Sequence, residues 1–164
     1  MKLKRENGRS LFRGRGFPKR FPPAGMPHLA LVGIGGNMGD VEKRFEKVLR
    51  YLKSSRVLRP LETSLLFENP PFGYIDQPYF INSVILVETV LKPHALMRYL
   101  LWVERRFGRK RSFPNAPRTL DLDIIFFDNL QLKSRRLTLP HPHFAERESV
   151  MVPLRFMSAA IRPK

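Results

Sequence analysis

Two carboxylates one residue apart, Asp121 and Asp123, stand in the string Arg118-Thr119-Leu120-Asp121-Leu122-Asp123-Ile124-Ile125. Side chains alternate across a strand, so both aspartates point to one face, about 7 Å apart along the chain. Leu120, Leu122 and Ile124 point to the other face. Two like charges on one face of a core strand repel unless something cationic lies between them. Magnesium meets that need, because it binds a few carboxylates and takes further oxygens from phosphates. The plainer reading is a solvated face with both charges paired to arginines, and Asp-X-Asp alone is a common string. The context favours the metal. Arg109, Lys110, Arg111 and Arg118 lie just upstream, and residues 112–117 leave little room for regular structure. Guanidinium forks match phosphate oxygens bidentately, so such a loop suits closure over a polyphosphate. A solvated basic loop is the bland alternative. His141, held between prolines in Leu139-Pro140-His141-Pro142-His143, is as a lone His more often structural, but near a phosphate site it can offer a hydrogen bond or a proton.

The elements that must position these residues can be read in order. Residues 29–34 form a short apolar run ending at Gly35-Gly36, which predicts a buried strand and a tight turn with close backbone packing. The Gly-rich run from Gly35 to Asp40 lacks the Gly-Lys-Ser/Thr ending of a phosphate loop and the spacing of a dinucleotide fingerprint. Asp40 suits the N-cap of a helix whose Val41, Phe45, Val48, Leu49 and Leu52 share one face. A second strand is predicted at 62–67. Asn69-Pro70-Pro71-Phe72-Gly73-Tyr74 must be a loop, since two prolines deny ladder donors. A long strand follows at 79–90. Pro93 opens a helix with an apolar stripe at Leu96, Leu100, Val103 and Phe107, and Gly108 ends it. Residues 120–127 form another strand. A basic loop, the Pro-His-Pro-His segment and an apolar stretch at 150–156 come after. The order β-α-β-β-α-β predicts an α+β, ferredoxin-like fold: an antiparallel sheet with two helices on one face.

The 164 residues suffice for one domain, and 43% apolar with 27% charged content reads as a globular chain. No stretch approaches the ~20 apolar residues that span a bilayer, and the basic N-terminus has no apolar run of a secretory signal. The chain has no cysteine, which excludes disulfides, thiolate metal sites and a Cys nucleophile, and fits a reducing cytoplasm. Net charge is +16, which by itself suggests RNA binding. Residues 1–27 hold eight Lys or Arg and one acid, Glu6. Rich in Gly and Pro and without period, they read as a basic N-terminal extension outside the core, followed by a single domain at 28–164. Phe12, Phe17 and Phe21 favour partial packing of that extension on the core, with no catalytic role.

The motifs converge on a family. Gly35-Gly36-Asn37-Met38-Gly39-Asp40, Asn69-Pro70-Pro71-Phe72-Gly73 with Asp76-Gln77-Pro78 and Phe80-Ile81-Asn82, Gly108-Arg109-Lys110-Arg111, Ala116-Pro117-Arg118-Thr119-Leu120-Asp121-Leu122-Asp123, and Leu137-Thr138-Leu139-Pro140-His141 occur in that order. From Leu29 to Phe156 the chain resembles the 6-hydroxymethyl-7,8-dihydropterin pyrophosphokinases. The resemblance implies a ferredoxin-like fold and transfer of pyrophosphate from ATP to 6-hydroxymethyl-7,8-dihydropterin in folate biosynthesis. It implies two Mg²⁺ ions at Asp121 and Asp123, with Arg109 and Arg118 acting in catalysis. Arg111, Arg136, His141 and Arg147 would hold the triphosphate, Glu104 and Thr138 would lie near the nucleotide, and Pro70, Phe72, Phe80 and Asn82 would line the pterin pocket. ATP and the pterin would be the partners of a cytoplasmic monomer, with no membrane and no specific nucleic acid. The chain departs from the family in having Asn115-Ala116 for Trp-Gly, Phe80 for a tyrosine, Ser149 for a stacking aromatic and Leu101 for a glutamine. The alternatives are an RNA-binding ferredoxin-like module, which would expose aromatics on central strands, and a degenerate nucleotide-binding homologue.

Overall fold

The computed structural model describes residues 2–110 and 112–157, with side chains from Asn7 onward. Arg111 therefore lies outside the described residues. Strands β1 (Lys2–Glu6) and β2 (Arg9–Phe12) form a hairpin, and β3 is Lys19–Arg20. Then come β4 (His28–Gly36), α1 (Val41–Lys53), β5 (Leu58–Thr63), β6 (Leu66–Asn69), β7 (Phe80–Thr89), α2 (Pro93–Arg106) and β8 (Asp121–Phe127). Two short strands, β9 (Leu132–Lys133) and β10 (Thr138–Leu139), precede α3 (Glu148–Leu154). The main sheet has the path β1-β2-β6-β7-β4-β8, with β5 beside β7 and β3 beside β5, and its named pairs are all antiparallel. The inner order β8-β4-β7-β5 is the split βαβ arrangement expected from the sequence. Strand β7 is long enough to pair with β5 along one half and β6 along the other.

Periodicity explains which face each helix covers. Asp40 caps α1, its carboxylate accepting the Lys43 N–H at 3.1 Å, and Val41, Phe45, Val48, Leu49 and Leu52 are buried as one stripe. Helix α2 buries Leu96, Leu100 and Val103, and Gly108 ends the segment at φ +89°. Both helices pack on Ala30, Val32, Ile34, Ile85, Val87, Leu122 and Ile124. Helix α3 takes the opposite face, setting Val150 and Leu154 against Leu31, Val84, Leu86 and Ile125.

Three expectations change. Residues 1–27 are not an extension outside the core. Asn7-Gly8, with φ 52° and 76°, makes a two-residue hairpin turn, and β2 joins the sheet through Ser10↔Glu68, Leu11↔Phe67 and Phe12↔Leu66. Phe17 is 1% exposed, with its ring 5.9 Å from that of Phe45. Phe12 is also in the core, and Phe21 packs against it. The Glu88 carboxylate accepts the backbone N–H of Ala24. The strands are too short for a period to show, and their partners lie some 55 residues away on β6.

The predicted strand 62–67 is instead two strands, β5 and β6, divided where the Ser64 hydroxyl accepts the Val84 N–H and meets Ser83 Oγ at 2.7 Å. Gly35 and Gly36 belong to β4, opposite Asn82 and Ile81, and the turn follows at Asn37 to Gly39. The expected close backbone packing is present: a Cβ on Gly36 would lie 2.6 Å from the Thr119 carbonyl oxygen.

Candidate active site

Cross-strand register assembles one row of residues. Opposed residues in an antiparallel pair share a face. Phe67 faces Asn82, Asn82 faces Gly35 and Gly35 faces Asp121. Asp123 lies opposite Gly33 in the next row. Glycine at both β4 positions leaves the floor between Asn82 and the aspartates without side chains. At Gly35 the space matters: a Cβ there would press into Asn82 Oδ1.

Beside this floor opens a cleft of about 800 Å³. Its walls include Glu104, Arg109, Arg118, Asp121, Asp123, Arg136, Thr138, His141 and Arg147. The structure thus brings together nine of the residues expected at the phosphate and nucleotide end. The four expected around the pterin lie outside that lining. Phe80 is joined to the cleft by the Arg118 guanidinium, 5.2 Å from its ring centroid. Asn82 donates to Asn69 Oδ1 at 2.7 Å, beside Pro70. Phe72, at 86% exposed, is not brought to them.

Charge in the cleft is unevenly spread. Arg109 Nη1 contacts Asp121 Oδ1 at 2.7 Å and Glu104 Oε1 at 3.1 Å, and Arg118 Nη1 contacts Asp121 Oδ2 at 3.1 Å. Burial opposes the Arg109 charge, but Asp121 and Glu104 more than offset it and raise the pKa of the guanidinium. Glu104 is 3% exposed and also accepts the Leu122 N–H at 2.7 Å, so α2 and β8 are tied at the cleft wall. Asp123, by contrast, forms no ion pair among the described residues. Burial, then repulsion from Asp121 and Glu104, pushes its pKa from 3.8 to about 7, while Arg147 and Arg109 pull it back in part. Burial lowers His141 below the usual imidazole value. Its Nδ1 lies 2.7 Å from the Pro142 carbonyl, which can only accept, so Nδ1 carries the proton and Nε2 is free to meet a ligand.

A family model for 7,8-dihydro-6-hydroxymethylpterin-pyrophosphokinase matches residues 31–159. The chain belongs to that family. It is 38% identical over 149 residues to the 2-amino-4-hydroxy-6-hydroxymethyldihydropteridine pyrophosphokinase of Helicobacter pylori, covering 89% of this chain and 91% of the relative. The protein of that name from Campylobacter jejuni is 40% identical over 127 residues, 77% of this chain and 81% of its own. The one from Bacillus subtilis is 33% identical over 129 residues, 79% and 77%. The Helicobacter match covers more of the chain than lies beyond Pro27, so it reaches into the N-terminal segment.

Some pyrophosphokinase residues gained no role from sequence reasoning. Asn37 donates to Gln77 Oε1 and the Pro78 carbonyl, at 2.8 and 2.9 Å, and accepts the Arg118 N–H at 2.9 Å. Gln77 in turn donates to the carbonyls of Tyr74 and Asn115. These two amides join the turn after β4, the loop before β7 and the loop before β8. Both stood in quoted motifs, Gly35-Gly36-Asn37 and Asp76-Gln77-Pro78, and that was the available signal. Arg98 and Arg135 add further cations to the cleft lining.

The donor set fits a hard divalent cation. Among the described residues no group of three or more His, Asp or Glu is arranged to hold a metal. The chain offers two carboxylates on one face, and a magnesium site completed by phosphate oxygens and water asks for no more. The raised pKa of Asp123 marks a place short of positive charge. Among the described residues no helix is long and apolar enough to cross a membrane.

Proposed function

We propose that this cleft transfers pyrophosphate from ATP to 6-hydroxymethyl-7,8-dihydropterin, with Asp121 and Asp123 holding two Mg²⁺ ions, in the cytoplasm. The observation that carries the reading is the row Asn82–Gly35–Asp121. It sets a flat, side-chain-free floor between an amide able to pair with a heterocycle and the carboxylates of the phosphate end. An RNA-reading sheet would carry aromatics at those central positions, not aspartates and glycines.

The pterin hydroxymethyl oxygen attacks the β-phosphorus. The new O–Pβ bond forms as the bond from Pβ to the oxygen bridging the α-phosphorus breaks, and AMP leaves with that oxygen. The hydroxyl proton passes to solvent. Such a transition state asks mainly for positioning and charge neutralisation. The bound ions would supply Lewis-acid neutralisation of the phosphate oxygens. Arg109, Arg118, Arg136 and Arg147 would neutralise the phosphates from the other sides of the cleft. Arg118, in contact with both Asp121 and the Phe80 ring, would align the two substrates. His141, neutral at Nε2, would donate to a phosphate once the anion has drawn a proton onto it. Asn82 would orient the pterin, and Phe80 would stack on it.

Incubation with ATP, Mg²⁺ and 6-hydroxymethyl-7,8-dihydropterin should release AMP and the pterin diphosphate in equal amounts. Release of ADP, or no dependence of AMP on the pterin, would refute the reading.

A further inference from the structure

The N-terminal hairpin touches the chain neighbours of residues at both ends of the site. Strand β2 extends the row that crosses the site's floor: Leu11 faces Phe67, which faces Asn82. Gly8, at the tip of the hairpin, lies against Tyr79, where a Cβ would stand 3.1 Å from the phenol oxygen. Tyr79 immediately precedes Phe80. Arg9 reaches the other way. Its Nε donates to Glu148 Oε2 at 2.7 Å, and its Nη1 donates to the Asn7 carbonyl at 3.0 Å, bracing the guanidinium against its own turn. Glu148 is the first residue of α3, and Arg147, its N-cap, lines the cleft. Leu11 and Phe67 share a small apolar cluster with Leu65, on which Val152 of α3 packs.

Helix α3 has weak means of holding its own start. It spans seven residues, has no side-chain cap and carries Pro153 inside. Helices this short draw their order from packing, because nucleation is costly. Val150 and Leu154 dock it on the sheet, which sets the backbone of its first turn but leaves the exposed side of that turn, with Glu148, to be held by other means. Arg147 shares the cleft wall with Asp123 and His141.

We propose that Arg9 is a positioning residue: through Glu148 it pins the first turn of α3, so that Arg147 is held toward the triphosphate end of the cleft. The hairpin is then a working part of the site. This rests on the reading of the cleft as an ATP site, and it assigns an N-terminal residue a role in nucleotide binding.

The test is a double-mutant cycle on binding. The affinity of α,β-methylene-ATP with Mg²⁺ is measured by calorimetry for the full-length protein and for Arg9→Ala, Arg147→Ala and the double variant. Arg9→Ala should weaken binding about fivefold when Arg147 is present and by less than about 1.5-fold when it is absent. Its melting temperature should move by no more than about 2 °C, since the ion pair is exposed. The reversed pair, Arg9→Glu with Glu148→Arg, should recover most of the affinity lost in Arg9→Glu alone. Equal weakening in both backgrounds, no weakening in either, or no rescue by reversal overturns the proposal. Because binding of the analogue is read without turnover, a protein that shows the coupling but releases no AMP would refute the pyrophosphokinase reading and leave the positioning role standing.

Discussion

Asp123 makes the metal-free protein sensitive to pH in an unusual direction. Its pKa is raised in the folded state, to about 7 from 3.8, by burial and by Asp121 and Glu104. The folded chain therefore binds this proton more tightly than the unfolded chain does. Where the native state holds more protons, stability falls as pH rises. The contribution is complete below pH 3.8, is lost as pH climbs towards 7, and is absent above it. At ~1.4 kcal/mol for each pH unit, the span amounts to about 4 kcal/mol as a ceiling. Asp123 keeps some access to solvent from the cleft, so water there reduces the figure. The perturbation is Asp123→Asn, which keeps the shape and removes the titration. The assay is thermal melting from pH 4 to 9 in EDTA, for wild type and variant side by side. Subtracting the variant removes the contributions of other carboxylates. The wild type should lose stability relative to Asp123→Asn between pH 4 and 7 and run parallel to it above pH 8. Saturating Mg²⁺ should abolish most of the wild-type loss and do little for the variant. A difference curve that is flat from pH 4 to 7, or that rises with pH, refutes the account of Asp123 as a carboxyl awaiting a cation.

Asp121→Ala or Asp123→Ala should lower turnover by about a thousandfold or more with the fold retained by circular dichroism, and near-normal AMP release in both would remove them from the metal site. Arg109→Ala should lower kcat more than it weakens ATP binding, because Arg109 is held by Asp121 and Glu104 where charge would develop in the transition state; reduced affinity with unchanged kcat contradicts this. Glu104→Ala strips a partner from the buried Leu122 N–H and from Arg109, and should cost about 3 kcal/mol in urea unfolding. Phe17→Ala should cost about 3–5 kcal/mol, since the ring is fully enclosed in the core beside Phe45; a loss under about 1 kcal/mol would mean the N-terminal segment is not packed in solution.

The sequence was most legible where a period ran long enough to bury a face. Five apolar residues spaced along α1 and three along α2 mark one stripe each, and the caps at Asp40 and Gly108 bound them. The run from Leu120 to Phe127 and its aspartates were equally plain. The hairpin at residues 2–12 was not. Its one strong signal was Asn7-Gly8, whose positive φ values suit a two-residue turn. That signal was hidden among arginines and glycines that resemble a solvated tail. Burial of Phe12 and Phe17 depends on β6 and α1, which no local pattern near them reveals. Charge composition misled for the same reason: Arg9 counts as one more cation in the sequence and becomes a bond to Glu148 only once the sheet has brought the two together.

The site itself has a periodic signature, though a different one from the core's. Three strands each carry a pair of residues two positions apart on the same face: Gly33 and Gly35 on β4, Phe80 and Asn82 on β7, Asp121 and Asp123 on β8. In each strand the intervening or following residues, such as Ile34, Ile85 and Leu122, go into the helix-covered core. Helix α3 covers the other face only in part, and the rest would ordinarily be solvated by mixed polar residues. Here the uncovered positions hold two glycines, one amide, one ring and two carboxylates, and the register sets them side by side. The carboxylates alone suggest a metal. The glycines between them and Asn82 give the second fact, that something flat must lie on the sheet next to it. Substituting Gly35 should therefore discriminate between substrates. Gly35→Ala would push a methyl group into Asn82 Oδ1, so binding of the pterin should be lost while binding of the ATP analogue, held by the arginines of the cleft, should change little. If both ligands weaken together, the floor does not belong to the pterin, and Asn82 has another task.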